Sequence, residues 1–170
     1  PEQLYERMVA ARRFMGGWSQ MRQLSLGTVD LELHEELAPQ LRTDAASYSE
    51  EEVDLVQGDL VMEFARERFE SFAIGPHFAE LHILPVFTHL FSGGYAAAYY
   101  SYLWSEVLDA DVFTRFRQEG IFNRETGQSY VKSILSRGDS AEPGALFKEF
   151  MGRDPDPAAL LDRNLGPEPA

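Results

Sequence analysis

Cysteine is absent from these 170 residues, which excludes disulfide frameworks, zinc ribbons and thiol catalysis. Basic residues are scarce, 15 against 28 acidic, for a formal net charge of −13. A surface of that sign repels phosphate backbones and anionic headgroups, so neither a nucleic acid nor a membrane is expected as a partner. No apolar run approaches the roughly 20 residues of a membrane-crossing helix. Strand signals are sparse, and there is no internal repeat or low-complexity tract. No secretory leader is recognisable, and cytoplasm is the expected setting. The chain opens on Pro1-Glu2 rather than a methionine, which suggests a piece of something longer. What is present is 44% apolar residues, ample for a core, arranged mostly at helical spacing.

That spacing predicts an all-α chain, one helical unit over 1–170, with helical sequence over 1–38. Leu4, Met8, Ala11 and Met15 recur on one helical face, and Gly16-Gly17 is expected to weaken or kink that helix. A second amphipathic stretch runs through Trp18, Met21, Leu24, Leu31 and Leu33 to Leu37, with Pro39 just past its end. Residues 39–47 read as a loop. Ser49-Glu50-Glu51-Glu52 fits a capping box opening a helix over 49–70 through Val53, Val56, Leu60, Phe64 and Phe69. The acidic run from Glu50 to Asp54 reads as its solvated N-terminus. Gly75-Pro76 marks a break, and the pattern from His77 to Pro85 decides nothing. Helix is expected to resume near Ala96 and run to Leu108, followed by a separate turn or two from Asp111 to Arg117 closed by Gly120. Asp109 and Asp111 would cap that turn; Trp104 and Phe113 would lie in the core. Asn123 is a natural N-cap for a helix to Arg137, with Gly138 beyond it. Short helices at 143–150 and 158–164 complete the C-terminal helices of 105–165, and the last five residues, GPEPA, read as a frayed end.

The richest chemistry lies between His89 and Trp104, HLFSGGYAAAYYSYLW: a histidine, a Gly-Gly pair and four tyrosines in sixteen residues. Gly93 and Gly94 permit positive φ and close approach to another chain. Phenolic O–H groups can donate to a peptide carbonyl or an oxyanion, and a donor-rich stretch beside a flexible pair suits stabilisation of developing negative charge. On a helix, Tyr95 and Tyr102 would be two turns and roughly 10 Å apart, with Tyr99 between them. From the residues alone, an aromatic stripe packed into the core is the favoured reading. The double glycine likewise reads either as an ordinary helix-breaking turn or as a mobile loop.

This run, with the following LWSEVLDADVF, then Gly120-Ile121-Phe122-Asn123, Gly127, Tyr130, ILSRGDS (134–140), FMGRDP (150–155) and ALLDRNLG, resembles the C-terminal region of the thimet oligopeptidase-like zinc metallopeptidases. ERMVAARRFMGG and MRQLSLGTVDLELH resemble the helices upstream, so the likeness covers nearly the whole chain. It implies a mostly helical, two-lobed enzyme that hydrolyses short peptides. Its zinc is held by an HExxH helix and a downstream glutamate, none of which this chain resembles. Tyr102 and Tyr95 are then the catalytic donors, Tyr102 to the tetrahedral oxyanion and Tyr95 to the same oxygen or the substrate backbone. His89, Gly93, Gly94, Tyr95 and Tyr99 would contact substrate, the two glycines within a loop that moves over it. Ala98 stands where many bacterial members carry glycine, which removes one flexible position.

His34-Glu35-Glu36-Leu37-Ala38 begins like HExxH, but Ala38 replaces the second imidazole, and two are needed to chelate zinc from one helical face. His77 and His82, five apart, do not share a face. No zinc ligand is therefore expected here. The metal belongs to a longer enzyme, and the expected partners are short peptides and the zinc-bearing remainder of the same polypeptide. Alone, the chain should be inactive, and apolar surface facing that remainder should drive self-association. The competing reading is a non-catalytic helical module that binds peptides.

Overall fold

The computed structural model describes residues 1–44, 50–75 and 81–166. Among them there are helices and turns and no strand, as the all-α expectation has it. The backbone groups into two compact units: residues 18–102, and residues 1–17 together with 103–170.

In the unit of residues 18–102, α2 (Gly16–Glu32) runs into a π-helical turn (Leu33–Leu37) and then α3 (Ala38–Asp44). Pro39 does not end the helix, and residues 39–44 are helical rather than loop. The π-turn moves the Ala38 N–H onto the Leu33 carbonyl, and Pro39, with no N–H to place, sits in the first turn of α3, where none is needed. The buried face of this helix is Leu26, Val29, Leu33 and Leu37, not the Trp18–Met21–Leu24–Leu31 stripe, whose members stay partly exposed. The aspartate at position 30 breaks the apolar period on the true core face and hides it. α4 (Glu50–Phe72) supplies Ala65 and Phe69, and two 3-10 turns (Leu81–Val86 and Thr88–Leu90) with the residue between them supply Leu84, Leu90 and Phe87. Together these form one apolar cluster, with Tyr99 packed against it. Arg68 of α4 lies over the Phe64 ring and reaches Glu32 at 3.1 Å and Glu36 at 2.8 Å. Ser49 of the supposed capping box, residues 45–47 of the supposed loop, Pro76, His77 and the tail beyond Gly166 lie outside the described residues.

In the other unit, α1 (Glu2–Arg13) buries no side chain. The break after it falls at Phe14-Met15, with Met15 at φ +59, not at Gly16-Gly17. Gly16 instead opens α2, and a Cβ there would meet the Asn164 carbonyl oxygen at 2.6 Å, so the position takes no larger residue. α5 (Tyr100–Glu119) is continuous through Asp109 and Asp111, so neither caps a helix. Asp111 is buried; both oxygens take the Arg153 guanidinium, and the Asp156 N–H donates to it at 2.7 Å. Asp109 pairs with Arg163 at 2.6 Å. Burying Asp111 with Val107, Ala110 and Val112 turns Trp104 and Phe113 outward, both nearly half exposed rather than core. Asn123 does cap α6 (Arg124–Tyr130), accepting from the N–H groups of Glu125 and Thr126. A π-turn (Val131–Leu135), α7 (Pro143–Met151) and α8 (Ala158–Leu165) follow. α7 fills a cluster of Val112, Phe147 and Phe150; Leu160 of α8 joins Val107 and Ala110.

Desolvation pushes the Asp111 carboxyl up, but the Arg153 guanidinium and the Asp156 N–H outweigh it and hold the group below the ordinary carboxylate range. A depressed native value means stability that is present above the unfolded value and lost as pH falls through the native one. Asp111→Asn should therefore cost about 2 kcal/mol at neutral pH. The gap from the parent chain should begin to narrow near pH 4 and close as pH falls through the lower native value, as read by urea unfolding across pH.

Candidate functional site

The tyrosines do not share a helix. α5 starts only at Tyr100, and residues 91–99 form a succession of turns in which Gly93, Gly94 and the non-glycine Ala97 take φ of +73, +77 and +56. The expected start near Ala96 fails because a left-handed residue cannot continue an α-helix. The turn folds Tyr95 back over the helix start. Its ring stacks on Tyr102 with centroids 5.4 Å apart and planes 15° from parallel, about half the separation two helical turns would give.

Around this pair the remaining rings meet edge to face. His89, from the second 3-10 turn, lies 5.4 Å from Tyr95, 5.4 Å from Tyr99 and 5.9 Å from Tyr102. Tyr99 contacts Tyr102 at 5.3 Å and, on its other side, the buried Phe87 at 4.8 Å. These are the separations and tilts that aromatic quadrupoles favour. Tyr99 thus ties the cluster to the core, and its hydroxyl donates to the Gln23 side chain at 3.2 Å. Tyr100 is exposed. Tyr95 is 38% exposed and Tyr102 42%; the core-stripe reading applies to Tyr99 and not to them. Gly93 and Gly94 are exposed on the same turn.

The cluster has a support that the sequence reading missed. Asp30 of α2 is 0% exposed. Its Oδ1 accepts the Ala97 N–H at 3.1 Å and its Oδ2 accepts the Tyr99 N–H at 2.9 Å. A buried charge is tolerable only when hydrogen-bonded, and these two backbone donors meet that demand. An acidic residue in the midst of the Leu26–Val29–Leu33 face is the signal that marks it. Three residues before it, Gly27 packs against the start of α5, where an added Cβ would make an ordinary contact 3.5 Å from the Tyr100 Cα.

Hydrogen bonding with the Tyr95 hydroxyl, aided by partial desolvation and by Tyr99, raises Tyr102 above the ordinary tyrosine value. Tyr102 is therefore a neutral hydrogen-bond donor, not a phenolate, at physiological pH. As for metal, His34 donates Nδ1–H to the Asp30 carbonyl at 2.7 Å and Glu36 is taken by Arg68, so the HExxH-like stretch is occupied by internal bonds. No three His, Cys, Asp or Glu side chains converge to hold an ion among the described residues, and those residues do not fit a zinc centre. None of the helices described is long and apolar enough to cross a membrane.

Comparison with known proteins gives a consistent picture. The profile of peptidase family M3 matches residues 1–165. Oligopeptidase A of Escherichia coli (strain K12) is 43% identical over 162 residues, 95% of this chain and 22% of that protein. The probable cytosolic oligopeptidase A of Arabidopsis thaliana is 39% identical over 96% of this chain and 22% of its own length. The dipeptidyl carboxypeptidase of Salmonella typhimurium is 31% identical over 91% of this chain and 21% of its length. The chain thus spans about a fifth of the curated relatives it matches.

The contact between the two phenols has a spectroscopic consequence. Ultraviolet difference titration of the parent chain against Tyr102→Phe should show the missing phenol ionising above the ordinary tyrosine value. The same comparison made in a Tyr95→Phe background should bring it back down, because the largest cause of the shift has been removed.

Proposed function

The chain belongs to peptidase family M3, and on that premise we propose that it is the part of a zinc-dependent oligopeptidase that presents hydrogen-bond donors to a short peptide and to the oxyanion formed during its hydrolysis. The observation that carries this reading is the Tyr95–Tyr102 stack with His89 at its edge, open to solvent on a glycine-bearing turn. Zinc would come from polypeptide outside this segment; among the described residues no three ligating side chains converge.

When the scissile carbonyl carbon becomes tetrahedral, its oxygen gains negative charge. Tyr102, kept protonated by its neighbours, donates its O–H to that oxygen. Tyr95, stacked alongside, donates to the same oxygen or to the substrate backbone. His89 donates to substrate near the scissile bond, and Tyr99 braces the group from the core side. Gly93 and Gly94 give the turn the freedom to close over bound peptide. Donors held in place before the reaction need no reorganisation as charge develops, which is why one of them is worth about 3–4 kcal/mol in the transition state.

The remaining polypeptide of the longer enzyme is the proposed macromolecular partner. The apolar side chains exposed on α1 and in the turn after it, Leu4, Tyr5, Met8 and Phe14, are consistent with a face covered by it or, in isolation, by a second copy. One relative is named cytosolic and another organellar; for this chain a cytoplasmic setting is proposed.

Two outcomes are expected. The isolated 170 residues should not cleave a quenched fluorescent peptide with or without added zinc; chelator-sensitive turnover would show that the metal site lies here after all. In the longer enzyme, Tyr102→Phe should lower kcat by about 10²–10³-fold with little change in KM, and a near-parental kcat would remove Tyr102 from this role.

A further inference from the structure

We infer that Asp30 is a positioning residue for the tyrosine donors: its buried carboxylate latches the backbone of Ala97 and Tyr99 and so fixes the turn that brings Tyr95 against Tyr102. The inference rests on the proposed role of those phenols and adds a residue that touches neither substrate nor metal.

Four observations converge on it. Asp30 is fully buried, and both of its oxygens are used, one on each amide. The two amides bracket Ala98 at the junction of the turn and α5. Ala97 stands at φ +56 without being glycine, a conformation that an L-residue keeps only when its surroundings enforce it; the carboxylate is the partner seen to hold it. And Tyr95 lies on the far side of Ala97 from Tyr99, so the direction of the chain at Ala97 decides whether the Tyr95 ring reaches Tyr102. Gly93 and Gly94, by contrast, sit upstream of the latch, exposed and at positive φ. The turn therefore has a free half, which can move over a ligand, and a fixed half, which holds the donors in register.

His34 lies beside the same carboxylate, its Nδ1 3.4 Å from Asp30 Oδ1 and already donating to the Asp30 carbonyl. It closes the turn of α2 behind the latch. An asparagine at 30 could offer one acceptor oxygen but would point an N–H group at the other backbone donor, so Asp30→Asn breaks the latch while conserving volume. A misplacement of a catalytic group by about 1 Å costs on the order of a hundredfold in rate, and that is the effect expected on kcat.

The test has two arms. In the isolated chain, amide hydrogen exchange should find Ala97 and Tyr99 protected while Gly93 and Gly94 exchange freely. Asp30→Asn should speed exchange at both latched amides and abolish the nuclear Overhauser contact between the Tyr95 and Tyr102 rings. Ala97→Gly, added to that variant, should restore part of the contact by relieving the positive φ. Unprotected Ala97 and Tyr99 amides in the parent chain would overturn the latch even if the variant failed to fold; so would an Asp30→Asn variant with parental exchange and an intact ring contact. In the longer enzyme, Asp30→Asn should lower kcat with little change in KM, and Tyr102→Phe on top of it should cost far less than on its own. Full additivity of the two would overturn a role exerted through Tyr102. If Tyr102→Phe alone leaves kcat unchanged, the catalytic reading of the phenols has failed, and the exchange arm still decides whether Asp30 holds the turn.

Discussion

A carboxylate removed from water must find its hydrogen bonds inside the protein, and Asp30 finds them in two backbone N–H groups on the turn that carries the tyrosines. The local geometry of residues 18–102 follows from that demand. Ala97 is left-handed where it donates, so no helix runs through it, and α5 begins three residues later at Tyr100. Tyr95 is then left on the turn, free to fold back on Tyr102, where a regular helix would have held the two phenols apart. The apolar cluster of α2, α4 and the 3-10 turns provides the dry setting that makes the carboxylate insist on its partners.

The other unit uses the same device for a structural end. Asp111, also buried, gathers Arg153 and the Asp156 N–H and so pins the turn between α7 and α8 to α5. In both places an acidic residue on the core face of a helix organises an irregular segment distant in sequence. Charge in a core is costly when unpaired and specific when paired, which suits it to fixing turns that apolar packing alone would leave loose.

Helix existence was legible from periodicity, and so was the Asn123 cap, because both are local. What the sequence concealed were the consequences of long-range bonds. Pro39 reads as a terminator only if the preceding turn is α rather than π. Trp104 and Phe113 read as core only if their bulk decides which face of α5 is buried, whereas Asp111 decides it. The spacing of Tyr95 and Tyr102 reads as a helical stripe, whereas the chain is a turn folded back, since the residue responsible sits 67 positions upstream of Ala97. His89, Tyr95, Tyr99 and Tyr102 are brought together, and Gly93 and Gly94 lie on the same turn; their identity was readable from the motif, their arrangement was not. Asp30 left only a faint mark, an acid where the apolar period called for a leucine or valine.

Membership of peptidase family M3 gives this cluster its proposed meaning, a set of neutral donors assembled before substrate arrives. The most direct test is a structure of the longer enzyme containing this segment with a phosphinic peptide bound, since the tetrahedral phosphorus group imitates the transition state. The account predicts the Tyr102 hydroxyl within hydrogen-bonding distance of a phosphinyl oxygen, with Tyr95 still stacked beside it. A bound inhibitor whose oxygens are met by other groups, while the Tyr95–Tyr102 face looks onto bulk water, would contradict it.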